Sequence, residues 1–124
     1  MLLPFNRLAI KKLIINKLKV MDKEELKQKV IDCLQTIYDP EIPVSIYELG
    51  LIYETEIMPP LNNVQIVMTL TAPGCPAAQS IPLEVEQKVK QIEGVNEVTV
   101  IVTWEPAWNR DMMSETARFE LGMM

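Results

Sequence analysis

At 124 residues and 14.2 kDa the chain is long enough to build one hydrophobic core without disulfide or metal staples. Its 48% hydrophobic and 23% charged residues are the balance of a globular domain, and no apolar run reaches the ~20 residues of a bilayer span. Net charge is −5, yet Arg7, Lys11, Lys12, Lys17 and Lys19 stand among residues 1–20 without one acid. Removing those five cations leaves residues 21–124 at −10, a surface that repels phosphate backbones and excludes nucleic acid as the expected partner. The two cysteines, Cys33 and Cys75, lie in unlike contexts, so a disulfide framework is not expected and a reducing cytoplasm is the predicted location.

Residues 1–20, "MLLPFNRLAIKKLIINKLKV", are basic and apolar, in the manner of a membrane-surface or transit segment, although the lack of serine counts against transit. Met21-Asp22 reads as a fresh start, with residues 1–20 an upstream extension or the product of a wrongly chosen initiation site. The expected organisation is therefore a basic extension that is not native to the domain, or an extra helix packed on it, followed by one domain over 21–124. A role at a membrane is not expected.

From Asp22 the apolar residues Leu26, Val30, Cys33, Leu34 and Ile37 recur at helical spacing, with Asp22 and Glu25 as a capping pair. The predicted helix runs to about Tyr38, where Asp39-Pro40 stops it. "DPEIPVSIYELG" reads as a rigid connection because Pro40 and Pro43 restrict it. "LIYETEIM" alternates as a half-buried strand, "PPLNN" is a turn, and "VQIVMTLT" returns as a second strand.

Ile81, Val85, Val89 and Ile92 then mark a second helix, with Pro82 in its first turn and Gly94 at its C-terminal cap. "VNEVTVIVTW" is a β-branched third strand, and "MSETARFELG" is a short helix capped by Ser114 and closed by Gly122. The order α-β-β-α-β-α predicts a two-layer α+β sandwich with a small three-stranded sheet.

Within that order, "TAPGCPAAQ" at 71–79 carries Cys75 from strand 2 into the next helix. Free N–H groups and the positive dipole end at a helix start favour a thiolate, which makes the sulfur a better nucleophile and metal ligand. Gly74 lets the backbone turn, and Pro73 and Pro76 restrict the loop, so the sulfur is expected to be presented. Cys33, on the apolar stripe of the first helix, is expected to pack in the core.

The inventory excludes other chemistry. There is no histidine, hence no Cys-His or Ser-His-Asp catalysis, and neither C-x-x-C nor a phosphate-binding glycine loop occurs. One presented cysteine is too few ligands for a cluster, which takes about four thiolates or substitutes. Ligands would have to come from a second subunit, a client protein, or the carboxylates of Asp39 and Glu41, whose loop meets that of Cys75 if both leave the same end of the sheet. An ordinary turn role for those acids stands beside that reading. Trp108, in "WEPAW", is the candidate partner surface, with core packing as its alternative.

With these residues in place, "DPEIPVSIYELGLIYE", "MTLTAPGCP" and "WEPAWNRDMMSETARFELGM" resemble the three signature blocks of the SufT/PaaD-like family of metal-sulfur cluster assembly domains. The likeness runs from about Asp22 to Gly122. It implies an α+β domain assisting iron-sulfur protein maturation alongside SUF-type assembly proteins and their clients. The family cysteine matches Cys75, and the family's acidic loop matches Asp39 and Glu41; Thr71, Gly74 and Pro76 are the expected supporting loop residues. The chain ends without the cysteine-bearing extension of PaaD-like members, so it is more similar to the SufT-like branch.

The function expected is a non-catalytic carrier or adaptor with no tightly bound cofactor, engaging iron or an iron-sulfur cluster transiently through Cys75, with a homodimer able to pair two such sulfurs. Its rivals are a thiol enzyme using Cys75 as nucleophile and a metal-free docking adaptor.

Overall fold

The computed structural model describes residues 22–40, 42–72, 74 and 79–122. The extension 1–20 and the predicted site residues Glu41, Cys75 and Pro76 fall outside them.

Helix α1 spans Lys23–Leu34, and the predicted cap is in place: the Glu25 N–H donates to Asp22 Oδ1 at 2.8 Å. Leu26, Val30 and Leu34 are buried along its inner face. The helix stops one turn short of the expected Tyr38. Thr36 donates its hydroxyl back to the Cys33 carbonyl at 2.6 Å, and the N–H groups of Thr36 and Ile37 take carbonyls three residues back. These tighter bonds close the last turn. The chain released in this way turns on itself: Ile46 N–H donates to Ile37 O at 2.8 Å, and Tyr38 bridges antiparallel to Ser45. The proline-rich connection is thus a closed loop, with Val44, Ile46 and Leu49 buried beneath it.

Strand β1 (Ile52–Met58) runs antiparallel to β2 (Asn63–Met68), and β2 runs parallel to β3 (Val98–Val102), giving the sheet order β1-β2-β3. Each strand is shorter than its β-prone sequence. In β2 alternation is clean, with Val64, Ile66 and Met68 buried and Asn63, Gln65 and Val67 half-buried on the other face. The β1 register shifts between Ile52 and Glu54, a bulge that the alternating sequence hides.

Helix α2 (Ser80–Lys90) makes the crossover to β3, with Pro82 in its first turn and Ile81, Val85 and Val89 buried. It ends four residues before Gly94. That glycine takes φ 100° in a later turn and is not the helix cap expected from the sequence. Helices α1 and α2 touch each other, and lie against β1 and β3 respectively, which places both on one face of the sheet. This is the two-layer α+β arrangement that the element order implied.

After β3 comes a 3-10 turn, Arg110–Met112, and then α3, Glu115–Glu120. Ser114 caps α3 by accepting from the Ala117 N–H at 3.1 Å, and Gly122 follows the helix at φ 71°. The Ser114 hydroxyl also bonds the Glu48 carboxylate, while its N–H donates to Glu48 O at 2.9 Å. One side chain therefore caps a helix and ties it to the core connection. Ser114→Ala is expected to lower unfolding free energy by about 1–2 kcal/mol, read from urea denaturation.

Candidate functional site

The backbone gathers the three blocks at one end of the sheet. Because β1 is antiparallel to β2 and β3 is parallel to it, the start of β1 lies beside the ends of β2 and β3. Past the regular ladder, Thr69 N–H donates to Leu51 O at 2.8 Å and Thr103 N–H to Met68 O at 2.8 Å. Leu51 N–H in turn reaches Ile46 O at 3.1 Å, and Ile46 is held to Ile37. The Asp39 connection, the exit toward Cys75 and the chain entering "WEPAW" thus share this end.

Asp39 is buried, and its Oδ1 accepts the Ile42 N–H at 3.1 Å. That bond is turn chemistry, so the carboxylate helps to shape its own loop. Thr71 is half-buried; Gly74 is exposed at φ 82°. A positive φ there is the conformation for which glycine is suited, in the loop that carries the thiol. The site helix α2 has no side-chain cap from Gln79 and no acid in its first turn. Helices α1 and α3, by contrast, have acids in their first turns and side-chain caps. The first residue of α2, Ser80, lies five positions past Cys75 in the sequence, so the helix starts later than the sequence reading placed it.

Thr69 is a feature that sequence reasoning missed. It is fully buried, and its hydroxyl has no hydrogen-bond partner among the described residues. Leaving a buried donor unpaired costs about 1–3 kcal/mol, and this one stands on the strand exit that leads to Cys75. Periodicity could not reveal it, because threonine is an ordinary strand residue. Thr69→Val keeps the shape and removes the orphan hydroxyl. It is expected to raise stability by about 1 kcal/mol in thermal or urea unfolding.

Of the two readings of Trp108, partner surface or packing, its geometry includes a packing contact. Trp108 is half-buried and its indole N–H donates to Leu49 O at 2.7 Å, so it clamps the C-terminal block to the connection. Trp104 is 42% exposed and is the more open aromatic. Tyr53 adds a second clamp, its hydroxyl donating to Pro106 O at 2.7 Å.

Cys33 packs half-buried against the core on α1, as expected. Burial pushes its thiol pKa up, with the Lys88 ammonium pulling the other way. The neutral thiol is therefore the form that folding favours. Its stabilising contribution is complete below the unfolded-state value and is lost as pH climbs through the raised folded value. A cysteine held protonated in this way is a poor ligand. Among the described residues no group of three or more histidine, cysteine or acidic side chains stands together to hold a metal ion. No described helix is long and apolar enough to cross a membrane.

The fold and its loops define a small α+β domain in which three loop blocks meet at one end of a mixed sheet. Residues 27–100 match the family model described as iron-sulfur cluster assembly protein, and the chain belongs to that family. It is 47% identical to an Fe-S protein maturation auxiliary factor of Porphyromonas gingivalis over 100 residues, which cover 81% of this chain and 94% of the relative. It is 38% identical to the Fe-S protein maturation auxiliary factor YitW of Bacillus subtilis, over 82% of this chain and 98% of that one. A crystal structure of a domain of unknown function from Bacillus anthracis superposes with a TM-score of 0.76 at 36% identity, covering 86% of this chain and all of the other.

Proposed function

We propose that this chain is an accessory factor in the maturation of iron-sulfur proteins, a carrier or adaptor without turnover, whose working thiol is Cys75. The observation that carries the reading is the meeting of the three blocks where the Cys75 loop departs, in a chain whose other cysteine is committed to packing. The names borne by the relatives, maturation auxiliary factors, point the same way.

The cluster is cargo. A chain with two cysteines and no histidine cannot supply about four soft ligands from one site. Coordination must be completed by a client thiolate, by a second copy, or by the Asp39 and Glu41 carboxylates. Few ligands make a weak site, and weakness suits a protein that must release what it holds. Thr71, Gly74 and Pro76 shape the loop, SUF-type assembly proteins and iron-sulfur clients are the partners, and the cytoplasm is the place of action. A homodimer would pair two Cys75 sulfurs; sedimentation of an active monomer would remove that requirement.

The test is anaerobic purification with a cluster-building system, then iron and sulfide analysis of the wild type beside Cys75→Ser. Iron and sulfide bound by the wild type and lost from the variant are expected. Client maturation that survives in Cys75→Ser would instead favour a metal-free docking adaptor using the surface near Trp108, and metal-independent turnover abolished by Cys75→Ser would favour an enzyme.

A further inference from the structure

Strand β3 forms an edge of the sheet, and among the described elements only β2 and α2 touch it. The Val64 N–H donates to Glu97 O and the Thr103 N–H to Met68 O, so the odd-numbered residues of β3 turn their backbone groups toward β2. Val98, Val100 and Val102 turn theirs outward, and among the described residues those N–H and C=O groups have no partner. The opposite edge is guarded: β1 is bulged, carries Glu54 and Glu56, and runs into Pro59 and Pro60. The β3 sequence VTVIV has no charge and no proline, and its register with β2 is unbroken.

We propose that the β3 edge is a docking site for an extended strand of a partner protein, apolar at alternate positions and basic at its ends. Outward N–H and C=O groups are satisfied by the main chain of another strand. Its side chains on the open face would cover Ile101, which is 42% exposed, and those on the other face would continue the row of Val98, Val100 and Val102 packed against the core. The charge preference follows from the surroundings. Glu93, Glu97 and Glu105 are exposed, and no lysine or arginine stands between Lys90 and Arg110. A second copy cannot pair edge to edge here. The outer strands of a three-stranded sheet are about 10 Å apart, which is also the spacing two packed helices need, so α2 stands over β3 itself. Antiparallel pairing of two β3 strands would bring the two α2 axes to about 5 Å, where about 8–10 Å is required. A strand without a helix of its own fits beneath the flank of α2, and it would run to the end of the sheet where the three blocks meet. This surface does not depend on the reading of Cys75, and its test uses neither iron nor the thiol.

The probe is the peptide acetyl-KTVTVTK-amide, titrated into the intact chain while amide hydrogen exchange is followed by NMR. At saturation the Val98, Val100 and Val102 amides are expected to exchange about tenfold more slowly, with Thr99 and Ile101, already bonded to β2, unchanged. The same peptide N-methylated at its valines should not bind, because it cannot extend the ladder. Glu97→Lys with Glu105→Lys should weaken the lysine-ended peptide about tenfold and strengthen acetyl-ETVTVTE-amide; that exchange of preference separates charge pairing from misfolding. Binding that leaves the three valine amides unchanged overturns the proposal, and so does equal binding of the N-methylated peptide. Protection of those amides that appears on concentrating the chain alone would assign the edge to a second copy and overturn it as well.

Discussion

Cys75→Ser is expected to yield a folded protein with an unchanged unfolding midpoint that supports client maturation at about a tenth of the wild-type level or less. A serine hydroxyl does not ionise near neutral pH and is a hard, weak ligand for iron. A cysteine at the start of a helix gains thiolate character from the dipole end. On the proposed reading that end is α2, which starts at Ser80, five positions beyond Cys75 in the sequence, and has no side-chain cap from Gln79 and no acid in its first turn. Cys33→Ser is the matched control. Its thiol is packed against the core and held neutral by burial, so the change is felt in stability and leaves maturation in place. Maturation assays with a reporter client, run beside urea denaturation of both variants, separate the two effects.

Gly50→Ala has the largest expected effect on the fold. Gly50 sits at φ 82°, and a Cβ built there runs into the backbone carbonyl of Met112. The left-handed conformation costs a residue with a side chain about 1–2 kcal/mol, and overpacking adds about 1–3 kcal/mol, so a loss of about 2–5 kcal/mol is expected. The damage should spread from there. Gly50 lies between Leu49, which accepts the Trp108 indole, and Leu51, which accepts Thr69, so a displaced Met112 would loosen the joint between the blocks. Gly74 provides the contrast. It has the same φ, but among the described residues nothing stands within 4 Å of an added Cβ. Gly74→Ala should therefore cost only the backbone term, about 1–2 kcal/mol. A urea midpoint for Gly50→Ala well below that for Gly74→Ala is the expected result.

Much of this architecture was legible in local spacing. The stripe through Leu26, Val30 and Leu34, the alternation of β2, and the caps at Asp22 and Ser114 are short-range effects, and each stands where the pattern put it. The end of α1 was not legible, because the back-bond from Thr36 and the pull of Ile46 on Ile37 depend on a chain reversal still to come. Gly94 misled for a related reason: glycine marks a positive φ without saying which turn needs it. The joint that makes the site was out of reach as well. Ser114 with Glu48 and Trp108 with Leu49 are separated by 66 and 59 residues, and nothing in a single sequence pairs such positions. Resemblance of the three blocks pointed to Cys75 and the acidic loop. Topology explains how the blocks meet, and Asp39 shows a turn role that fits either reading of that loop.

The most direct measurement is the rate of alkylation at neutral pH of the thiol that remains in a Cys33→Ser background, beside the rate for that thiol in the unfolded chain. The account predicts a folded-state rate equal to or above the unfolded one, and a lower rate when an acid is placed in the first turn of α2 by Ser80→Asp. Reaction that requires unfolding would mean a buried sulfur, and would contradict the account.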